Sequence, residues 1–305
     1  MDETTNLGSS TKQNISILLL ILTTVLWGTS FILSKKIIED VPIFFYLCLR
    51  FLIALIGFIP FFPRLKRLNK GIIIMSFITG TLYFIGIAFQ MYGLQSTTAG
   101  KTGFITGLST IIVPFITWFI FKKPITKRIW AAVSLSVLGM AFLLLEGESS
   151  MIIGDLLVLI CAFFWAFYIV YNDKYVRLGD VYIYSIVQIL VIICLSFISS
   201  LLFRENYDLL SATPNFWLIM LYMGIGIMTL TFLFQNWSQQ HQNPATVAII
   251  FTLEPVFAAV FGFLIGNEIL TLFGWLGCGL IFIAILIIVL KTPNVDEEKI
   301  NETLK

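Results

Sequence analysis

The sequence predicts an all-α polytopic membrane protein: ten transmembrane helices arranged as two inverted five-helix repeats. Three observations carry that expectation. The 305 residues are 58% hydrophobic and only 12% charged, with a mean hydropathy of +0.96, far from the roughly half-apolar, quarter-charged make-up of soluble domains. The chain is cut into apolar stretches of about the 20 residues that a helix needs to cross a hydrocarbon core of about 30 Å. The second half also repeats landmarks of the first in the same order.

The predicted spans are 15–34, 42–62, 70–92, 98–121, 128–145, 151–171, 181–203, 214–236, 242–265 and 271–291. Links such as Lys122-Lys123-Pro124-Ile125-Thr126-Lys127-Arg128 leave no room for a soluble domain between them. Only 1–14 and 292–305 are polar enough to be expected as solvated, unstructured tails. The first stretch does not read as a cleaved leader, because its apolar run is long, Lys12 is the only basic residue before it, and no small-x-small pattern follows. Cys48, Cys161, Cys194 and Cys278 all fall inside predicted helices without a CxxC or other metal-ligand spacing, so they are expected as small core residues, with no metal site.

Charge sets the expected orientation. With the N-terminus in the cytoplasm, Lys12, Arg64, Lys66, Arg67, Lys70, Lys122, Lys123, Lys127, Arg128, Lys174, Arg177, Lys291, Lys299 and Lys305 lie inside, and Lys35, Lys36, Lys101 and Arg204 lie outside. The excess of inward-facing basic residues places both termini in the cytoplasm of a cell in whose plasma or inner membrane the chain sits. These residues flank membrane ends rather than forming one stripe, which argues against a nucleic-acid partner.

Sliding the chain against itself by 138 residues pairs Trp27 with Trp165, Lys36 with Lys174, Tyr46 with Tyr184 and Arg50 with Gln188; further on, a shift of 145 pairs Gln90 with Gln235, Tyr92 with Trp237 and Gln95 with Gln240. Each copy, 15–145 and 151–291, holds five predicted spans. An odd number makes the second copy enter the membrane from the opposite side. Inverted repeats of this kind are the architecture of secondary transporters, with a solute site near the midplane between the halves.

The residues resemble the drug/metabolite transporter superfamily, in particular its ten-helix EamA branch. The first half carries the pattern as WGTSFILSKKIIEDVPIFFYLCLRFLIA (27–54) and TTAGKTGFITGLSTIIVPF (97–115); the second carries FFWAFYIVYNDKYV (163–176) and NPATVAIIFTLEPVFAAVFGFLIGNEILTLFGWLGCGLIF (243–282). The resemblance implies two five-helix repeats and transport of small metabolites, often amino acids and frequently outward. It does not fix the substrate.

Two ionisable residues fall well inside the spans, Arg50 and Glu254, and a charge at mid-membrane costs about 2.5–3.5 kcal/mol on insertion scales. Glu254 precedes Pro255, which cannot donate to the carbonyl of Phe251, so a freed carbonyl is expected beside a carboxyl. Two readings of Glu254 stand: a proton- or cation-binding group coupled to transport, or a neutral or Arg50-paired carboxyl that ties helices together. Its counterpart in the first half is Ser109. Arg50 reads as a snorkelling residue near the outer interface or as a carboxylate-binding guanidinium.

Trp27, Tyr83, Trp165, Tyr168 and Tyr171 lie deep in their spans and read as core packing or as the lining of a path. Ser30 and Thr29 align with Tyr168 and Phe167, hydroxyls against rings. Gln90, Gln95, Gln235, Gln239 and Asn243 sit near span ends, where loop solvation is the simple expectation. Lys101 is expected at the outer interface, and His241, in a short link, has no partners for a metal. The pairs Gly103/Gly107 and Gly262/Gly266 read as close helix contacts. Pro114 and Pro255 are expected to bend their helices at different depths, since they are out of register at a shift of 145.

The expected function is a secondary active transporter of a small organic metabolite working by alternating access. Its partners would be that solute, a proton or other coupling ion, and the bilayer, with no cofactor and no catalytic residue. A membrane-embedded enzyme acting on lipid and a passive channel are the alternatives. No Walker motif is present to supply ATP drive.

Overall fold

The computed structural model describes residues 3–97, 99–122, 124–144, 153–209, 212–266 and 272–289, and its regular structure is helical throughout. In chain order the α-helices are α1 (Glu3–Ile38), α2 (Ile43–Ile56), α3 (Lys70–Ser96), α4 (Ala99–Gly107), α5 (Ser109–Phe121), α6 (Lys127–Leu144), α7 (Ile153–Val176), α8 (Val181–Leu202), α9 (Pro214–Leu221), α10 (Leu230–Gln239), α11 (Pro244–Phe251), α12 (Leu253–Gly266) and α13 (Leu272–Val289). Each of the ten predicted stretches contains helix. Among the described residues seven helical runs are long and apolar enough to cross a membrane, and an eighth is added if the bent pair Ile43–Ile56 and Ile59–Arg67 counts as one span.

Several boundaries differ from the sequence expectation. The stretch before residue 15 is not an unstructured tail where it is described: α1 runs back to Glu3. The second span stops at Ile56 rather than near residue 62, and a 3-10 helix, Ile59–Arg67, leaves it at 83°. Pro60 and Pro63 explain the change, because neither can donate a backbone hydrogen bond to continue an α-helix. The turn carries Arg64, Lys66 and Arg67 off the helix axis, where basic side chains can stay in water. Residues 292–305 lie outside the described residues.

The fourth and ninth spans are each interrupted once. α4 gives way to α5 at Leu108, whose N–H bonds Ile105 O at 3.1 Å; α11 gives way to α12 at Thr252, whose N–H bonds Ile249 O at 3.1 Å. Both are i→i+3 bonds, tighter than the helical ladder, and they sit 144 residues apart. The interruptions therefore fall one residue from the shift of 145, whereas the prolines that were expected to set the bends, 141 residues apart, fall four from it. Pro255 follows its interruption by three residues and Pro114 lies six beyond its own. The eighth span contains a π-helical stretch, Tyr222–Thr229, between α9 and α10.

Packing follows the same register. α7 packs on α3, α4 and α5, and α1 packs on α10, α11 and α12; α2 lies against α8, and α6 against α13. Gly80 lets α3 approach the carbonyl of Gln188, where an added Cβ would stand 3.1 Å away, and Gly224 lets the π-helical stretch approach the carbonyl of Arg50, where it would stand 3.0 Å away. Gln188 and Arg50 are the residues paired by the shift of 138. Lys35 near the end of α1 and Asp155 at the start of α7 both bond Thr97, just beyond α3. Ser16 in the first half of α1 and Arg177, just beyond α7, both bond Gln242, just beyond α10, so α1 and α7 run antiparallel.

One apolar cluster built around Trp27, Phe51, Tyr83, Trp165 and Phe232 occupies the centre, and a smaller one joins α6, α11, α12 and α13. Outward-facing apolar residues such as Leu18, Phe77, Phe197 and Leu201 remain exposed, as a surface facing lipid requires. Cys48, Cys161 and Cys278 are buried as expected, but Cys194 is exposed.

Candidate functional site

The two interruptions face each other. Around them lies a cavity of about 20 Å³ lined by Thr106, Gly107, Ser109 and Thr110 from the first, Phe251 and Glu254 from the second, and Trp27, Trp165 and Ile169 from α1 and α7. That space holds one or two waters. Thr110 Oγ1 donates to Ala248 O at 3.1 Å, fastening α5 to α11 across the break.

The prolines shape the chemistry of this cavity. Pro114 deprives the carbonyl of Thr110 of its usual donor four residues on, and Pro255 does the same to Phe251. Both residues line the cavity together with Glu254 and Ser109, so two residues whose carbonyls lack an i+4 donor lie around the same small space. Glu254 sits in the first turn of α12, the end of a helix that favours negative charge. The set is rich in acceptors and suits a proton, a small cation or an ammonium group.

Aromatic rings form the other wall. Trp27 lies 5.8 Å from Trp165 and 4.9 Å from Phe251, centroid to centroid. Trp165 meets Tyr83 at 4.7 Å and Tyr168 at 5.6 Å, and Tyr83 meets Tyr168 at 5.1 Å. Tyr83 and Tyr168 extend the wall into the core without lining the cavity.

Arg50 does not snorkel. It is 1% exposed, with Nη1 donating to Tyr46 Oη at 2.9 Å and Nη2 to Ser30 Oγ at 3.4 Å; its Nε has no hydrogen-bond partner among the described residues. Tyr46 and Ser34 hydroxyls meet at 2.9 Å. Among the described residues no ion pair joins Arg50 to Glu254. The equivalent place in the second half holds neutral groups only: Tyr184 Oη donates to Asn172 Oδ1 at 3.0 Å, and Gln188 Nε2 donates to Asn172 Oδ1 and to Thr79 Oγ1, both at 2.8 Å. Asn236 Nδ2 reaches Ser185 Oγ and Gln188 Oε1, again at 2.8 Å.

The glutamines expected in solvated loops are mostly inside. Gln90, Gln235 and Gln239 are buried; Gln90 Nε2 donates to Thr106 Oγ1 at 3.0 Å, next to the cavity, while Gln235 Nε2 is buried without a partner among the described residues. Asn243 accepts from Thr246 N and caps α11. His241 bonds the Trp237 carbonyl at 2.8 Å and lies against the Trp237 ring at 4.3 Å, tilted by 33°; burial lowers its pKa, the Trp237 bond opposes that, and the charges of Lys12 and Arg177 add to it. Gly103 and Gly107 both approach Pro255, as close contacts should, and the surroundings of Lys101, Gly262 and Gly266 lie outside the described residues. Asp155, passed over in the sequence because it stands near a span end, is 3% exposed and accepts from Thr97 Oγ1 at 2.5 Å.

A model of the EamA-like transporter family matches this chain twice, over residues 14–145 and 152–290. The chain belongs to the EamA-like transporter family. Its relatives in that family include an uncharacterized transporter of Archaeoglobus fulgidus, 31% identical over 272 residues, covering 89% of this chain and 85% of the relative. The uncharacterized transporter YetK of Bacillus subtilis is 23% identical over 287 residues, covering 88% and 85%. A solved crystal structure shares the fold, with a TM-score of 0.74 over 91% of this chain and 98% of that one at 18% identity. In this EamA-family transporter, the sequence candidates Trp27, Trp165, Ser109 and Glu254 come together at one cavity, Gln90 bonds Thr106 of its lining, and Arg50 with Ser30 forms a separate buried cluster.

Proposed function

We propose that this chain is a secondary active transporter with ten spans in two inverted five-helix repeats, 15–145 and 151–291. It moves a small organic metabolite, an amino acid or related compound, outward across the plasma or inner membrane by alternating access, with both termini cytoplasmic. The observation that carries the reading is the cavity at two corresponding helix interruptions, one per half, with Glu254 as the acidic side chain of its lining. Discontinuous helices around a midplane site are how secondary transporters hold solutes and coupling ions. The antiparallel course of α1 and α7 supports inversion.

The cavity admits water but no metabolite, so a solute can enter only after the halves separate at one end. That supports alternating access over an open channel. Glu254 serves as the coupling group, exchanging a proton or binding another cation, and the faces of Trp27, Trp165 and Phe251 suit an ammonium group by cation–π attraction. Arg50 is the candidate for a carboxylate when the conformation changes. Outward direction rests on the resemblance described above.

The test is counterflow in proteoliposomes loaded in turn with unlabelled amino acids and amines. Saturable exchange of labelled solute supports the reading. Non-saturating flux would identify a channel, and chemical turnover of added lipid by purified protein without any gradient would identify an enzyme.

A further inference from the structure

The two ends of the molecule are closed by bonds that occupy the same register. At one end, Gln95 Nε2 donates to Ile38 O at 3.1 Å; at the other, Gln240 Nε2 donates to Val176 O at 2.8 Å. The shift of 145 carries Gln95 onto Gln240, and the shift of 138 carries Ile38 onto Val176. In each half, then, the end of the third span is tied to the end of the first by the same amide-to-carbonyl bond. A cation reinforces each tie. Lys35 Nζ donates to Thr97 O at 2.7 Å, and Arg177 Nη2 donates to Gln242 O at 2.6 Å; Thr97 and Gln242 are again equivalent at 145.

Those ties lie within a half, but Thr97 and Gln242 each also cross to the other half. Thr97 Oγ1 bonds Asp155 Oδ1, at the start of α7, at 2.5 Å. Gln242 Nε2 bonds Ser16 Oγ at 2.7 Å and Gln13 O at 3.1 Å, near the start of α1. All of these groups apart from the cations are buried or held at helix ends, so the bonds form in a setting where a lost partner is not replaced freely by water.

We propose that Thr97–Asp155 and Gln242–Ser16 are the two gate bolts of transport, one at each end, and that opening toward either side requires breaking the bolt there while the other holds. The inference rests on the transport reading above. The bolts are unequal: one ends on a carboxylate and the other on neutral groups. The symmetry thus supplies two gates, and the chemistry makes them different.

Ser109→Cys, in a background whose native cysteines are replaced, places a reporter thiol at the cavity. Its modification by a membrane-impermeant cationic thiosulfonate is followed from each face of oriented vesicles. Thr97→Val should raise the rate at least tenfold from the face where Lys35 lies and leave the other face unchanged; Gln242→Leu should do the reverse. Thr97→Ser, which keeps the hydroxyl, should label like the parent, and the thermal unfolding midpoint of each variant distinguishes an opened gate from a collapsed fold. Unchanged labelling in both folded variants, or acceleration from both faces by either one, overturns the bolts. Counterflow of amino acids by the parent protein, with Ser109 intact, in parallel vesicles separates the two claims: counterflow without gated labelling leaves transport standing and removes the bolts, and gated labelling with no counterflow of any solute leaves the bolts and removes the transport reading.

Discussion

Trp27 and Trp165, paired by the internal repeat, touch each other at the centre of the molecule, with ring centroids 5.8 Å apart and planes inclined at 48°. Both rings line the cavity that also holds Glu254, so the contact joins the two sequence copies at the candidate site.

A double-mutant cycle measures that contact. Trp27→Leu, Trp165→Leu and the double variant are compared by thermal or denaturant unfolding in detergent, with an expected coupling of about 0.5–1.5 kcal/mol, the usual worth of an aromatic pair beyond its burial. Strict additivity would show that the two rings pack independently.

Arg50 gives a sharper test because its repeat partner is neutral. Arg50→Gln places in the first half the residue that Gln188 supplies in the second. A buried guanidinium held by two hydroxyls costs desolvation that those bonds offset only in part, so the variant is expected to unfold at the same temperature as the parent or above it. If Arg50 receives substrate carboxylate, uptake falls at least tenfold in the same variant. A lower midpoint with unchanged uptake would make the arginine structural.

These comparisons also show what the sequence could reveal. The register of the halves was legible, since Trp27, Tyr46, Gln90 and Gln95 recur in order, and so was Glu254, because a carboxylate before a proline stands out in an apolar run. The matched interruptions at Leu108 and Thr252 were not legible: prolines draw attention, but Pro114 acts on the carbonyl of Thr110 and not at the break itself. Polarity near a span end was read as exposure, yet Gln90 is buried against Thr106 and Gln239 is buried against α7, where it donates to the carbonyl of Ile169. The π-helical stretch Tyr222–Thr229 left no mark in composition.

His241 provides a pH test outside the membrane spans. Burial holds its folded pKa below the ordinary value, which for an unfolded histidine is about 6.5. Between the lowered value and about 6.5 the unfolded chain binds more protons than the folded one, so stability rises with pH across that window and is lost as pH falls through it. His241→Gln should flatten the dependence of the unfolding midpoint on pH in the window just below about 6.5. An unaltered slope would assign the dependence to other groups.

The orientation can be read by labelling. Lys36 and Lys66 are both exposed and stand at opposite ends of the first two spans. Introduced thiols, Lys36→Cys and Lys66→Cys, should react with an impermeant maleimide from outside the cell and from the cytoplasmic side, respectively. The opposite pattern would reverse the assignment made from the basic residues.

Glu254 carries the coupling claim. Its carboxyl lies in the cavity with Ser109 and with Thr110 and Phe251, whose carbonyls lack an i+4 donor, so a bound proton or cation would be held by oxygen on several sides. Glu254→Gln keeps the shape and the hydrogen-bonding capacity while removing the charge that changes during a coupled cycle. Exchange of solute down its own gradient needs no net movement of the coupling ion and is expected to persist within about threefold, whereas accumulation driven by an imposed proton or cation gradient should fall to background. Gln and Glu differ little in volume, so a folded, exchanging, uncoupled variant isolates the charge itself. Concentrative transport at the parent rate in Glu254→Gln would remove this residue from coupling and leave it as a buried polar contact between the two broken helices.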